Sequence, residues 1–436
     1  MGSQLELAIN VVAALVVVLA TTTVCGRVAL LVGQPRVVGE MVAGVLLGPA
    51  LFGALAPGLQ AQLFPADVKD VLYVLSTIGL TFYMFLVGAA LDHGVLDKPA
   101  VRRAAALATS GILPSFLLGA GAALLLFDQL AVAGSSRWEL MLFLGGALSI
   151  TSLPVLARIL EERGVANTRV GGLVLVAAAI DDAVAWGILA VIVAVGAATG
   201  PTDALVTIGG AALFAGGMLT IGRSLLRRLG DRVERDGAVG RDTMTIVFLV
   251  VLGAGFLTDL IGVFSVFGGF VTGLAMPRSA LLRHELETRL TDLNSILLLP
   301  VFFAFSGLNT EIDGFGSVGQ LLLPLALILF VAMLGKYAGC GLTVRAQGFS
   351  WRYASAVGGL MSARGLMILI FINVGLSYGL ITHRLFSILA IVAIVTTAAA
   401  LPIYRASMPS WLEQAEKDVA LGRVEVVRVA ARTNRQ

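Results

Sequence analysis

Long runs of apolar residues, uncharged or nearly so, recur along the whole chain and are separated by short polar connections. A helix that crosses a bilayer needs about 20 mostly apolar residues. Thirteen runs qualify, at 6–25, 37–55, 70–91, 103–127, 138–159, 170–197, 204–222, 243–259, 260–277, 293–309, 317–344, 353–377 and 385–406. The pattern predicts an all-α polytopic membrane protein. The thinnest boundary is the one between the eighth and ninth runs, at Thr258-Asp259-Leu260. The mixed-charge tail, 409–436, is too short for a nucleotide-binding regulatory domain and is expected to form an amphipathic surface helix. There is no tandem repeat and no low-complexity segment.

Composition narrows the function classes. The chain is 58% hydrophobic and only 13% charged, against about 25% charged for a soluble domain, with a mean hydropathy of +0.95. Too few charges remain to cover a soluble enzyme of this size, and a disordered chain needs the opposite balance. The 30 Lys+Arg and 27 Asp+Glu leave a net +3 with no basic face for nucleic acid. Cys25 and Cys340 both lie in apolar runs and read as small buried hydrophobes. His93, His284 and His383 sit in separate polar connections and form no metal cluster. The N-terminus lacks a basic flank, so no cleaved signal peptide is expected.

Loop charge tests the span count. Cytoplasmic loops carry the Lys/Arg excess. The odd-numbered connections and the tail hold 25 basic residues, among them Arg223, Arg227, Arg228, Arg232, Arg235 and Arg241 in the seventh. The even-numbered connections hold three, Lys69, Arg137 and Arg384. This predicts a multi-pass protein of the plasma (inner) membrane with its N-terminus outside and its C-terminus in the cytoplasm. The two basic residues left over, Lys336 and Arg364, lie inside apolar runs.

An ionisable residue at bilayer depth costs at least ~2.5–3.5 kcal/mol on insertion scales, so it usually has a partner and a task. The clear cases are Glu40, Asp181, Asp182, Lys336 and Arg364; Asp259 sits near a span boundary. Adjacent positions on a helix point about 100° apart, so Asp181 and Asp182 do different jobs. Burial raises a carboxylate pKa and a nearby cation lowers it; a group pulled both ways can trade a proton for a metal ion. Lys336 needs a carboxylate, and Asp181 is the expected partner. Ser149-Ile150-Thr151-Ser152-Leu153-Pro154 in the fifth span and Gly358-Gly359-Leu360-Met361-Ser362-Ala363-Arg364-Gly365 in the twelfth predict interrupted helices, which mark midplane ion sites in transporters. Carboxylates are expected to balance the N-terminal half-helix ends and Lys336 the C-terminal ones. The GxxxG pairs Gly44/Gly48 and Gly269/Gly273 predict close helix packing.

Six ordered stretches carry a family resemblance. The first is Gln34-Pro35-Arg36-Val37-Val38-Gly39-Glu40 through Gly48-Pro49. The others are Gly79-Leu80 through Gly88, Ser149 through Leu160, the Asp181-Asp182 pair, Phe267-Gly268-Gly269-Phe270 through Pro277, and Leu299-Pro300-Val301-Phe302-Phe303 through Leu308. Together they resemble the monovalent cation/proton antiporter superfamily, in the branch of potassium efflux antiporters, bacterial sodium/proton antiporters and plant cation/proton exchangers. The resemblance spans about residues 6–406.

It implies an inverted-repeat antiporter fold with two broken crossing helices. Scaffold and dimerisation helices would occupy 1–99 and 243–316, core transport helices 100–203 and 317–408, a linker helix and basic loop 204–242, and a cytoplasmic tail 409–436. The protein would be a homodimer and not an enzyme, exchanging Na⁺ or K⁺ for H⁺ without a resident cofactor. Asp182 would carry the cation or the proton, with Asp181 and Lys336 paired beside it. Thr151 and Ser152 would add ligand oxygens, Thr151 joining Asp182 on the metal ion. Arg364 would balance charge in the core, and Glu40 would line the pathway. An Asp-Asp pair goes with electrogenic exchange in such relatives. Two departures stand out: Ile368 replaces a glutamate of the usual core network, and no nucleotide-binding domain follows, so control by glutathione or NAD is not expected. The residues alone also leave open a cation channel or uniporter on the same scaffold, or an efflux carrier for an organic cation or ionophore. An intramembrane enzyme is the weakest reading.

Overall fold

The computed structural model describes residues 3–90, 98–166, 168–197, 201–277, 279–310 and 318–420. His93, Arg278 and the arginines of the tail beyond Ala420 lie outside the described residues. The helices are α1 (Ser3–Leu31), α2 (Arg36–Leu47), α3 (Pro57–Leu63), α4 (Ala66–Ala90), α5 (Lys98–Leu130), α6 (Arg137–Ser149), α7 (Leu153–Glu162), α8 (Arg169–Ala197), α9 (Pro201–Gly217) and α10 (Arg223–Asp236). They continue as α11 (Arg241–Ile261), α12 (Ser265–Ala275), α13 (Ala280–Leu293), α14 (Leu299–Leu308), α15 (Val318–Met333), α16 (Gly339–Ala346), α17 (Trp351–Met361), α18 (Gly365–Ser377), α19 (His383–Ser407) and α20 (Ser410–Ala420). Among the described residues, four π-helical turns interrupt the series, at Pro49–Gly53, Met218–Gly222, Asn294–Leu298 and Leu334–Ala338. Among the described residues there is no strand.

Among the described residues, eleven helical segments, some running through π turns, are long and apolar enough to cross a membrane. The other two of the thirteen expected spans take different forms. The fifth is the broken pair α6/α7, and the ninth is α12, an apolar helix of only 11 residues. The thin boundary falls slightly later than the sequence suggested. α11 runs through Asp259 to Ile261, and Gly262, at φ +87°, turns the chain in the left-handed region open to glycine. Its amide and that of Val263 then close on the carbonyls of Asp259 and Thr258, so the helix ends with no loop to spare.

Local signals start helices where the polar connections end. Ser136 accepts from the Glu139 amide at 3.3 Å while its own amide reaches the Glu139 carboxylate at 3.4 Å, a reciprocal cap on α6. Ser279 and Thr382 cap α13 and α19 through their hydroxyls.

The chain divides into two compact units. One comprises 1–25, 43–95 and 190–309. In it, Phe85, Val247, Val251 and Ala275 join α4, α11 and α12 around one apolar cluster, and Ala14, Val68, Leu72 and Val301 join α1, α4 and α14 around another. Both GxxxG pairs act here as close-packing faces. A Cβ on Gly44 would meet the Phe303 carbonyl, and one on Gly273 the Phe85 carbonyl. The second unit comprises 26–42, 96–189 and 310–436. Its centre is the segment Trp351–Ser377, whose most apolar stretch is 94% buried. α5 lies hard against the turn Leu334–Ala338: a Cβ on Gly335 would meet the Ser115 backbone, and one on Gly339 the Ser110 carbonyl.

The helix after the last long span is no free surface element. α20 inserts Leu412, fully buried. Its Glu413 meets Arg163 at 2.7 Å and Lys417 at 3.0 Å, and Tyr353 donates to Glu416 at 2.6 Å. Arg163 belongs to the loop after α7 and Tyr353 to the first turn of α17, while Lys417 lies one turn along α20 itself.

Candidate functional site at two broken helices

The two interruptions meet within the second unit. α6 stops at Ser149 and α7 begins at Leu153; α17 stops at Met361 and α18 begins at Gly365. The two breaks are joined by two hydrogen bonds. The Ser152 amide donates to the Ala363 carbonyl at 3.0 Å, and the Thr151 hydroxyl donates to the Met361 carbonyl at 2.9 Å. Gly365, at φ +37°, turns the second break and donates its amide to the Thr397 hydroxyl of α19 at 2.9 Å. Pro154 falls in the first turn of α7, where an amide has no intrahelical acceptor to lose.

A broken helix exposes carbonyls at one end and amides at the other, with partial charges to match. Cations sit at the carbonyl ends. Lys336 donates to the Ser149 carbonyl, the last of α6. Arg364 donates through one guanidinium nitrogen to the carbonyls of Leu148 and Ala332, both at 2.8 Å, and through another to Ser362 at 3.4 Å. Its positive charge thus closes the C-terminal ends of α6 and α17 together. At an amide end sits a carboxylate: Asp182 faces the Leu153 amide that opens α7.

Asp181 and Asp182, on α8, are both buried. Asp181 Oδ2 takes the Lys336 ammonium at 2.6 Å, with 0% and 1% of the two side chains exposed. The Thr151 hydroxyl also lies beside Asp181. Lys336 reaches both acceptors from the π turn Leu334–Ala338, a slip in the helix that is frequent at functional sites. Asp182 is different. Neither of its carboxylate oxygens has a hydrogen-bond partner within normal limits, and the same holds for Asp181 Oδ1 and the Ser152 hydroxyl. Buried polar atoms are nearly always paired in folded proteins. Four buried oxygens on Asp181, Asp182 and Ser152 are thus left without a partner, and oxygens of this kind take a small hard cation or, on a carboxylate, a proton. Among the described residues no group of three His, Cys, Asp or Glu could hold a transition metal.

Glu40 stands apart from this arrangement. It is buried on α2 between Arg36 at 3.1 Å and Arg158 of α7 at 3.7 Å.

The sodium/hydrogen exchanger transmembrane family matches residues 14–403. The chain belongs to that family. It is similar to the Na(+)/H(+) antiporter NhaS4 of Synechocystis sp., at 38% identity over 373 residues, covering 85% of this chain and 90% of the relative. It is 34% identical to Cation/H(+) antiporter 18 of Arabidopsis thaliana over 397 residues, 90% of this chain but 48% of that protein, so it spans about half the plant relative's length. Among solved structures it resembles the sodium proton antiporter MjNhaP1 from Methanocaldococcus jannaschii, with a TM-score of 0.63 over 94% of this chain and 99% of that one, at 16% identity. That likeness concerns the fold: the exchanger-family chain has the inverted-repeat antiporter fold with two broken crossing helices that its motifs implied.

Sequence reasoning left two features of this exchanger-family site unread. One is the set of acceptors of Arg364. Ile368, in the next turn on α18, is fully buried and offers no acceptor, and the guanidinium hydrogen-bonds to backbone carbonyls. The signal was present, since Arg364 directly follows the predicted break. The other is the π turn under Lys336; its only sequence trace is the pair of glycines at 335 and 339.

Proposed function

We propose that this protein is a secondary antiporter that exchanges Na⁺ or K⁺ for H⁺ across the plasma (inner) membrane by alternating access. The observation that carries the reading is the unpartnered Asp182 carboxylate beside an Asp181–Lys336 ion pair where two broken helices cross. With Asp182 ionised, the buried group holds two positive charges (Lys336, Arg364) and two negative ones (Asp181, Asp182). One proton or one monovalent cation brings the same single charge. Both together would leave a buried double excess, which is costly at low dielectric. Occupancy is therefore exclusive, which is the condition for exchange.

Asp182 binds the transported ion or proton. Ser152 and Thr151 complete its oxygen shell, and Asp181, held by Lys336, sets the local charge. Arg364 fixes the half-helix ends. The unit containing α5–α8 and α15–α19 moves as the ion-carrying body. The other unit serves as the scaffold of a homodimer. The N-terminus lies outside and the C-terminus in the cytoplasm, a reading that the charge asymmetry of the connections supports. The names of the relatives, which include Na(+)/H(+) and cation/H(+) antiporters, support the reaction class.

Asp182→Asn keeps the shape and removes the exchangeable charge. In proteoliposomes with an imposed ΔpH, the variant is expected to give no cation-dependent dissipation while the wild type responds to Na⁺ or K⁺. Retained antiport in Asp182→Asn would falsify the assignment. Wild-type cation current without proton counter-movement would identify a channel instead.

A further inference from the structure

The long helix that runs from Leu205 through a π turn to Asp236 is the least buried of the candidate spans, with 6% of its most apolar window covered. Its outer face carries Leu213, Ile221 and Leu225, all strongly exposed. Directly among these apolar residues, Thr220, Arg223, Ser224 and Arg227 line one wall of a cleft of about 430 Å³, and Met276 and Pro277 line the other. The two walls are held together just beyond, where a Cβ on Gly230 would touch the Pro277 ring. Arg223 and Arg227 lie one turn apart on α10 and make no hydrogen bond or ion pair among the described residues. Other arginines of α10 are engaged: Arg232 pairs with Asp236 at 3.9 Å, and Arg235 donates to the Asp231 carbonyl at 3.1 Å.

We propose that this cleft binds the phosphodiester headgroup of an anionic phospholipid. Two free guanidinium groups and the Ser224 hydroxyl match a phosphate by charge and hydrogen bonding, while the Thr220 hydroxyl is already spent on the Gly216 carbonyl at 2.6 Å. The lipid source, over free phosphate, follows from the neighbouring surface: Ile221 and Leu225 extend a lipid-facing stripe to the mouth of the cleft, where acyl chains lie once the headgroup is seated. Basic pockets at the helix ends recognise lipid headgroups by this combination. The site is separate from the broken helices and does not depend on the antiport reading.

The test is thermal unfolding of the purified protein in detergent with added phosphatidylglycerol, phosphatidylcholine or inorganic phosphate. Wild type is expected to gain more from phosphatidylglycerol than from either control. Arg223→Gln/Arg227→Gln is expected to lose more than half of that gain, and Arg232→Gln/Arg235→Gln to keep it. An undiminished gain in the first double variant overturns the proposal, as does an equal loss in both, which would indicate diffuse surface charge. A gain reproduced by inorganic phosphate alone rejects the lipid. Native mass spectrometry of the wild type gives a check that needs no variant: retention of phosphatidylglycerol no greater than of phosphatidylcholine also overturns it.

Discussion

Lys336 is held by two acceptors that cannot replace it. Its ammonium neutralises Asp181 and covers the end carbonyl of α6. Removing one member of a buried ion pair leaves an uncompensated charge and costs about 3–5 kcal/mol, whereas removing both costs much less. Lys336→Met is therefore expected to unfold well below wild type in detergent, and Asp181→Asn/Lys336→Met to recover a large part of the loss. Equal unfolding temperatures for wild type and Lys336→Met would contradict the coupling. The partnership of Lys336 with an acid could be read from the sequence, since a lysine some nine residues inside an apolar run needs a counter-charge. Which carbonyl it also covers could not be read, because that depends on where α6 stops in space. Arg364 makes the same point. Sequence marks it as charged and buried, but its three carbonyl acceptors come from elements separated by up to about two hundred residues in the chain.

Helices meet in this protein on small residues. α2 and α14 approach so closely that a Cβ on Gly307 would fall on the Gly44 backbone, and backbone does not move aside as a flexible side chain does. Gly307→Ala is expected to destabilise by at least the ~1–3 kcal/mol typical of an overpacked site, read as a lowered unfolding temperature. Gly121, whose added Cβ meets nothing within 4 Å, is the matched control. α20 offers an element-scale test of pH. Burial pushes the Glu413 carboxyl up, but Arg163 and Lys417 together pull it further down, to below the ordinary carboxylate value. Its contribution to docking is therefore complete above the unfolded value of about 4.3 and is lost as pH falls through the lower folded value. Hydrogen-exchange protection of the α20 amides is expected to hold from pH 8 to pH 5 and to fall only below that window. Glu413→Gln is expected to show reduced protection throughout. Protection lost already near pH 6 would contradict the assignment.

At the scale of the whole molecule, the lopsided distribution of basic residues predicts sidedness. In a background lacking Cys25 and Cys340, Ala133→Cys, in the connection before α6, is expected to react with an impermeant maleimide added outside intact cells. Ala238→Cys, in the Arg-rich connection before α11, is expected to react only after permeabilisation. The reverse pattern would invert the topology. Two compact units, each built from segments far apart in sequence, also predict that a cut in one connection leaves both parts associated, because helices from both sides of the cut share one apolar core.

Hydropathy, loop charge and the placement of five buried ionisable residues determined the fold class, the number of apolar runs and the identity of the candidate ion-binding groups. Each is a local property, set by transfer free energy and readable one segment at a time. Only tertiary structure decided that the eighth run ends at Gly262 and the ninth is a short helix, that Lys336 stands on a π turn, and that Arg364 serves backbone carbonyls. It also decided that Glu40 pairs with Arg36 and Arg158, away from the aspartates. A hydrogen bond between remote segments depends on where each helix ends to within a fraction of a turn, and no single segment carries that information.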